Sequence, residues 1–284
     1  MFSYYFKVNN FWKHSLSFEL NQSTFCWRFT TLLTSILFIS CSSDDSGTGS
    51  NFETPLTIGN YWTYDVEGQA GITRDSLYIS NDTVIGSNTY KKFKTENNIA
   101  TGFYSSALRN NGVRESNGKL KLSGDLSLAA GQTLPIAVDL TLSDFVIFNK
   151  NASNNQALNS SPKTGTIQQT VSGYPLNINY SLQSYGGETL TSFTSPNGDV
   201  YTDVKTTKIK LNVEITTTIS GFPITALAAQ DVLVSTQYLA DGIGVVYTNT
   251  VTSYSLNSLV ATQLGIPATS SQTQEEFLDT YLVN

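Results

Sequence analysis

The sequence predicts a mainly β protein: one large antiparallel sheet, curved into a half-barrel or barrel-like shape, with a short helix near the C-terminus. Three observations predict it. Apolar and polar residues alternate over long runs, and short turns rich in Gly, Asn and Asp separate those runs. No long helical pattern lies between them, so successive strands pair antiparallel, as a meander or Greek key, rather than through helical crossovers.

Each element follows from its local pattern. "NYWTYDVEG" places Trp62, Tyr64 and Val66 on one face of a first strand. "NNG" (Asn110 to Gly112) and "SNG" (Ser116 to Gly118) read as turns, because Asn-Gly supplies the positive φ angles of tight hairpins. Residues 144–163 contain "NKNASNNQALNSSPK" and read as a long mobile loop. "LNINYSLQ" alternates through Leu176, Ile178, Tyr180 and Leu182, and "YGG" (Tyr185 to Gly187) and "PNGD" (Pro196 to Asp199) read as further turns.

"KIKLNVEI" is the clearest strand: Ile209, Leu211, Val213 and Ile215 face one way, and Lys208, Lys210, Asn212 and Glu214 the other. "DVLVSTQYL" sets Val232, Val234 and Tyr238 on one side, and "ADG" (Ala240 to Gly242) turns the chain again. The β domain is bounded at 52–256. Residues 257–284 read as a linker and short helix, with Thr273 and Glu276 at capping-box spacing and Phe277, Leu278 and Tyr281 forming a stripe. A sheet apolar on one face must cover that face, by closing as a barrel, curling as a half-barrel or stacking as a sandwich.

Composition narrows the functions. Charged residues make up 13% of the 284, about half the roughly 25% usual for soluble domains. The net charge is −6; residues 1–40 hold three of the 16 basic residues and one of the 22 acidic ones, so the remainder is net −8. An acidic chain without a basic stripe repels phosphate backbones, which argues against nucleic-acid binding.

The N-terminal stretch reads as an address. From Phe29 to Ser40 the chain is apolar or hydroxylic, too short for the roughly 20 residues of a membrane span and suited to a signal-peptide core. Phe38-Ile39-Ser40-Cys41 resembles the lipobox of bacterial lipoproteins, with Phe38 where Leu is usual. The resemblance implies that residues 1–40 are removed and that Cys41 becomes the acylated first residue, an anchor worth about 0.8 kcal/mol per buried methylene. Ser42, Ser43, Asp44 and Asp45 resemble the acidic signals that send lipoproteins to the outer face of the outer membrane in some Gram-negative bacteria; in composition they equally suit a hydrated tether over 41–51. A 40-residue leader is long, and Leu20 as an alternative start shortens it.

The only histidine, His14, and the other cysteine, Cys26, fall within the leader. Ser-His-Asp, Cys-His and His/Cys zinc chemistry are thereby closed to the mature chain. What remains is a carboxylate pair or an all-oxygen metal site, and Asp82, Asp199 and Asp203 read as turn residues rather than ligands. No catalytic residue, metal or cofactor is expected.

An internal echo supplies the candidate site. "TVSGYPLNI" (Thr170 to Ile178) and "TISGFPITA" (Thr218 to Ala226) share a Gly-aromatic-Pro step. They read either as two similar bends or as paired tips, Tyr174-Pro175 and Phe222-Pro223, at a rim that touches a ligand or partner. "PLTIGNYWTYDVEG" (Pro55 to Gly68) and "YLADGIGVVYTNT" (Tyr238 to Thr250) resemble the opening and closing strands of secreted bacterial β-proteins. Several of these are similar to the lipoprotein-carrier (LolA/LolB-like) half-barrels, whose curved sheet encloses an apolar ligand.

Two functions follow as expectations: a lipid-anchored binding module for an apolar or glycan ligand, or an accessory lipoprotein that assembles with an outer-membrane partner. Trp62, Ile209, Leu211 and Val213 would line a cavity in the first. Mass spectrometry of the envelope fraction tests the address. The expected N-terminal peptide begins at an acylated Cys41, Cys41→Ser loses the acyl mass, and no peptide derives from residues 1–19.

Overall fold

The computed structural model describes residues 51–69, 71–127, 138–219 and 221–284. They lie in one compact unit, Ser46–Asn284. In chain order the elements are β1 (Tyr61–Gly68), β2 (Gly71–Ile85), β3 (Asn88–Thr95), α1 (Phe103–Leu108), β4 (Gly112–Ser116), β5 (Lys119–Ser127), β6 (Asp139–Asn149) and β7 (Lys163–Val171). Then follow β8 (Tyr174–Thr194), β9 (Val200–Ile219), β10 (Phe222–Ala240), β11 (Gly244–Ser255), α2 (Ser258–Leu264) and β12 (Thr269–Leu282).

The twelve strands among the described residues make one antiparallel sheet, in the order β6-β5-β4-β3-β2-β1-β12-β11-β10-β9-β8-β7. It curls into a nearly closed barrel. The topology is two meanders, β1 to β6 and β7 to β12, joined by the β1–β12 ladder that runs from Tyr61 opposite Leu282 to Glu67 opposite Glu275.

Alternation puts the apolar faces inside. Trp62, Tyr64 and Val66 are buried, as are Ile209, Leu211, Val213 and Ile215 and, on β8, Leu176, Ile178 and Leu182. Trp62 stacks on Phe93 and donates its indole N–H to the Ile243 carbonyl. On β10 the expected parity changes. A bulge between Asp231 and Leu233 sends Leu233, Ser235, Gln237 and Leu239 inward. Tyr238 goes to the outer face, where it stacks on Phe193 and meets the Tyr247 ring at a tilt.

"YGG" is not a hairpin turn either. Gly186 and Gly187 lie within β8 at a register shift. A Cβ on Gly186 would stand 2.5 Å from the Ser153 carbonyl oxygen, so the missing side chain admits the 150–162 segment.

The expected short helix near the C-terminus is α2, capped by Asn257 Oδ1 accepting from the Leu259 N–H and ended by Gly265 at φ +69. Residues 273–281, expected to form it, belong to β12 instead. The capping-box spacing is overridden because β12 fills the slot between β1 and β11 and hydrogen-bonds on both sides. Gln274, Glu276 and Leu278 then face inward with strand spacing.

Residues 144–163 are also more ordered than expected. Residues 144–149 complete β6, and the following segment is tied to β8: Asn155 N–H to Gly186 O (2.8 Å), Gly186 N–H to Gln156 O (2.8 Å) and Leu158 N–H to Ser184 O (2.9 Å). Asn159 acts as a surrogate strand. Its Oδ1 accepts from the Val146 N–H (2.9 Å), and its Nδ2 donates to the Val146 carbonyl (3.1 Å) and to Ser184 Oγ (2.9 Å). Thr207 Oγ1 donates to the Ile147 carbonyl. Side chains therefore close the barrel where strand pairing stops.

The long strands β8, β9 and β10 have 21, 20 and 19 residues, a contour of about 65 Å at roughly 3.3 Å per residue. They give the domain two distinct ends. The β8–β9 and β10–β11 turns lie at one end, with Asn284 and the first described residues. There Phe52 packs on Phe148, the Glu53 N–H donates to Asp241, and Thr57 Oγ1 donates to the Asn284 carbonyl. The β7–β8 and β9–β10 turns and α2 lie at the other end.

Asn159→Ala removes three hydrogen bonds at the seam and takes the acceptor from the Val146 N–H, while the Val146 carbonyl keeps the Ser184 hydroxyl. Urea denaturation is expected to show a loss of about 2–3 kcal/mol, with the far-ultraviolet β signal unchanged below the transition.

Candidate functional site

The two Gly-aromatic-Pro steps stand side by side at the rim of the barrel. Ser172 (φ +48) and Gly173 (φ +84) give the β7–β8 turn the two successive positive φ angles of a type I′ hairpin. The β9–β10 turn carries Gly221 at φ +83. Because β8 and β9 are neighbours, Pro175 sits beside Thr217, whose Oγ1 donates to the Pro175 carbonyl (2.8 Å).

Strand parity divides each tip. Pro175 and Pro223 point to the outer face and line a cleft of about 380 Å³. The aromatic partners do not join them. The Tyr174 hydroxyl hydrogen-bonds Gln263 of α2, and Phe222 is 73% exposed at the end of β10. The cleft floor follows the ladders: Thr170 opposite Pro175, Gln168 opposite Asn177, Asn177 opposite Thr216, and Thr218 opposite Pro223. Its walls are amides, hydroxyls, two proline rings and Leu176, with no charged side chain among the lining residues.

The interior is differently equipped. Trp62, Ile209, Leu211 and Val213 belong to one continuous core. Beneath α2, the apolar pocket formed by Val171, Leu176, Ile215, Ala226, Leu256, Leu264 and Ile266 retains about 10 Å³, too little for more than one water.

Against the inner face lies the β3–β4 connection, which contains α1. Two fully buried carboxylates hold it. Asp75 accepts from the Thr101 N–H (2.9 Å), Thr101 Oγ1 (3.0 Å) and the Gly102 N–H (2.8 Å). Glu276 accepts from the Tyr104 N–H (2.7 Å) and Thr248 Oγ1 (3.2 Å) at one oxygen, and from the Ser105 N–H (3.3 Å) and Ser105 Oγ (3.0 Å) at the other. A Cβ on Gly102 would stand 2.2 Å from Glu276 Oε2, so only glycine lets the backbone come this close.

Burial, with a smaller contribution from the Asp75 charge, pushes the Glu276 carboxyl up to about 7, against the lowering effect of its donors. Burial also raises the Tyr64 and Tyr104 hydroxyls. Both carboxylates are occupied by the chain's own donors and shut away from solvent, so they position a segment rather than face a substrate.

Cys41 and the Ser42, Ser43, Asp44 and Asp45 stretch lie outside the described residues. Among the described residues, no three His, Cys, Asp or Glu side chains gather as metal ligands, and no helix is long and apolar enough to cross a membrane. No family model matches the chain, and neither a curated protein nor a solved structure matches it.

The sequence reading missed Asp75 and Glu276. Their signal was an acid in the phase of apolar neighbours: Asp75 shares parity with Leu77 and Ile79, and Glu276 with Leu278. The helical reading of 273–281 hid the second.

Folded, Glu276 keeps its proton up to about pH 7; at its ordinary value of 4.5 an unfolded chain releases it earlier. Between those values the folded state binds more protons, so the Glu276 contribution to stability is full below about pH 4.5 and is lost as pH rises to about 7. The change is on the order of 3 kcal/mol. Glu276→Gln keeps an acceptor for the Tyr104 N–H and Thr248 Oγ1, replaces the acceptor facing Ser105 with an amide N–H that cannot titrate, and is expected to flatten this slope in urea titrations from pH 4.5 to 7.5. An unchanged slope in the variant would reject the assignment.

Proposed function

We propose that the chain is a lipid-anchored cell-envelope protein whose barrel rim binds a neutral glycan. One observation carries the choice of ligand: the 380 Å³ cleft between the two hairpin tips is walled by Gln168, Gln169, Asn177, four threonines, two prolines and Leu176, with no charge. Amides and hydroxyls on a rigid sheet offer paired donors and acceptors to sugar hydroxyls. A charged ligand finds no counter-ion among them, and an apolar one leaves the amides unpaired.

The lipobox-like Cys41 and the acidic residues after it support the anchor and the outward-facing outer-membrane location. The long strands support a site held away from the anchor, because the first described residues and the cleft lie at opposite ends. Under this reading the protein binds and does not catalyse.

The accessory reading, assembly with an outer-membrane protein, draws on a different observation. Ile58, Tyr61, Tyr281 and Leu282 are each more than 40% exposed at the end where the described chain begins, a placement suited to contact with a membrane-embedded partner.

Glycan-array screening of residues 46–284, followed by calorimetry on any hit, tests the cleft. Neutral oligosaccharides are expected to bind, and Gln168→Ala and Asn177→Ala each to weaken binding about tenfold, the equivalent of one lost hydrogen bond. Binding only of charged glycans, or affinity indifferent to both variants, would overturn the cleft reading while leaving the anchor untouched.

A further inference from the structure

The two edges of the sheet are treated differently. The β6 edge is capped by the Asn159 amide and by the Ser184 and Thr207 hydroxyls. The β7 edge has no such cap: among the described residues β7 pairs with β8 alone, and all nine of its residues are exposed or half-buried. An edge strand presents a row of free N–H and C=O groups, and proteins usually protect it with lysines, prolines or bulges. From Thr164 to Val171 the strand has no charge, no proline and no register shift against β8.

We propose that β7 is the docking edge for a second copy of this chain, paired antiparallel about a twofold axis at Ile167. The strand is self-complementary in that register. Thr164 meets Thr170 of the second copy, and Thr166 meets Gln168, all on the outer face where hydroxyl and amide pairs favour strand association. On the inner face Ile167 meets its own counterpart and Gly165 meets Gln169. The one charge, Lys163, falls opposite Val171, so no like charges meet.

The alternation makes this automatic. A twofold axis perpendicular to the sheet keeps each face on its own side, so polar residues meet polar and apolar meet apolar. The pairing also bears on the cleft, since Thr164 and Thr166 of the second copy adjoin Thr170 and Gln168 and lengthen its floor. The docking itself does not depend on the glycan reading.

Sedimentation equilibrium of residues 46–284, the unit that contains the whole described core, tests the pairing. The expected result is a monomer–dimer equilibrium visible by about 200 µM, where even an association with Kd near 100 µM is measurable. The double variant Thr166→Lys with Gln168→Lys sets like charges opposite each other and is expected to be monomeric. So is Thr166→Glu with Gln168→Glu. Mixed in equal amounts, the two are expected to form a heterodimer, because each lysine then faces a glutamate in this register and no other.

All four substitutions are on exposed positions, and circular dichroism of each variant against the parent separates loss of pairing from loss of fold. A parent that stays monomeric across the range overturns the proposal. So does a dimer that both charged variants retain, or two monomeric variants that fail to combine; a foreign extended peptide would then be the better occupant of the edge.

Discussion

The ladder between β1 and β12 is the constraint on which the rest of the structure depends. Every other pairing among the described strands joins neighbours in sequence; this one joins Tyr61 to Leu282. Without it the chain would be two meanders, each with an apolar face and an extra open edge. With it, the inner faces meet in one core that runs from Trp62 on β1 through Leu211 on β9 to Leu278 on β12. The same ladder brings Glu276 beside Val66, within reach of the α1 segment, and so places the interior carboxylate that organises the β3–β4 connection.

A barrel of this kind has two problems to solve, its seam and its interior. The seam is solved by side chains. Asn159 offers the edge of β6 a donor and an acceptor in the geometry of a missing strand, the Ser184 hydroxyl shares its Val146 carbonyl, and the Thr207 hydroxyl reaches the next carbonyl, Ile147. The interior is solved partly by a polar segment held on carboxylates. The cost of burying Glu276 is offset by four donors, and its raised pKa is the residue of that cost. An interior committed to holding its own chain shifts attention from a central cavity, as in a half-barrel carrier, to the outer face at the rim.

Much of this was legible in the sequence, for a physical reason. A strand with one wet face records its environment at every second residue, so the inward sets on β1, β8 and β9 could be read directly. The Asn117-Gly118 and Asp241-Gly242 turns were equally plain, since few residues accept positive φ. Other features were set by contacts that leave no local mark. On β10 a bulge at Val232 left that residue buried and turned Val234 and Tyr238 out. Gly186 and Gly187 looked like a turn because close backbone approach and chain reversal both favour glycine. The Thr273–Glu276 spacing suits a helix as well as a strand, and only the open slot between β1 and β11 decides between them. At the rim, the two Gly-aromatic-Pro steps were visible, but not that strand parity would turn the prolines toward the cleft and the aromatics away from it.

The position of β12 has a kinetic consequence. Of the twelve described strands, the last in chain order sits between β1 and β11, so the barrel cannot close before β12 is made. Until residues 269–282 emerge, β1 and β11 both wait with an open side. Pairing β1 with β12 demands closure of a loop of more than two hundred residues, the kind of contact that slows folding. A sheet whose keystone comes last in strand order stays open until that strand is made, however early its other eleven strands have formed.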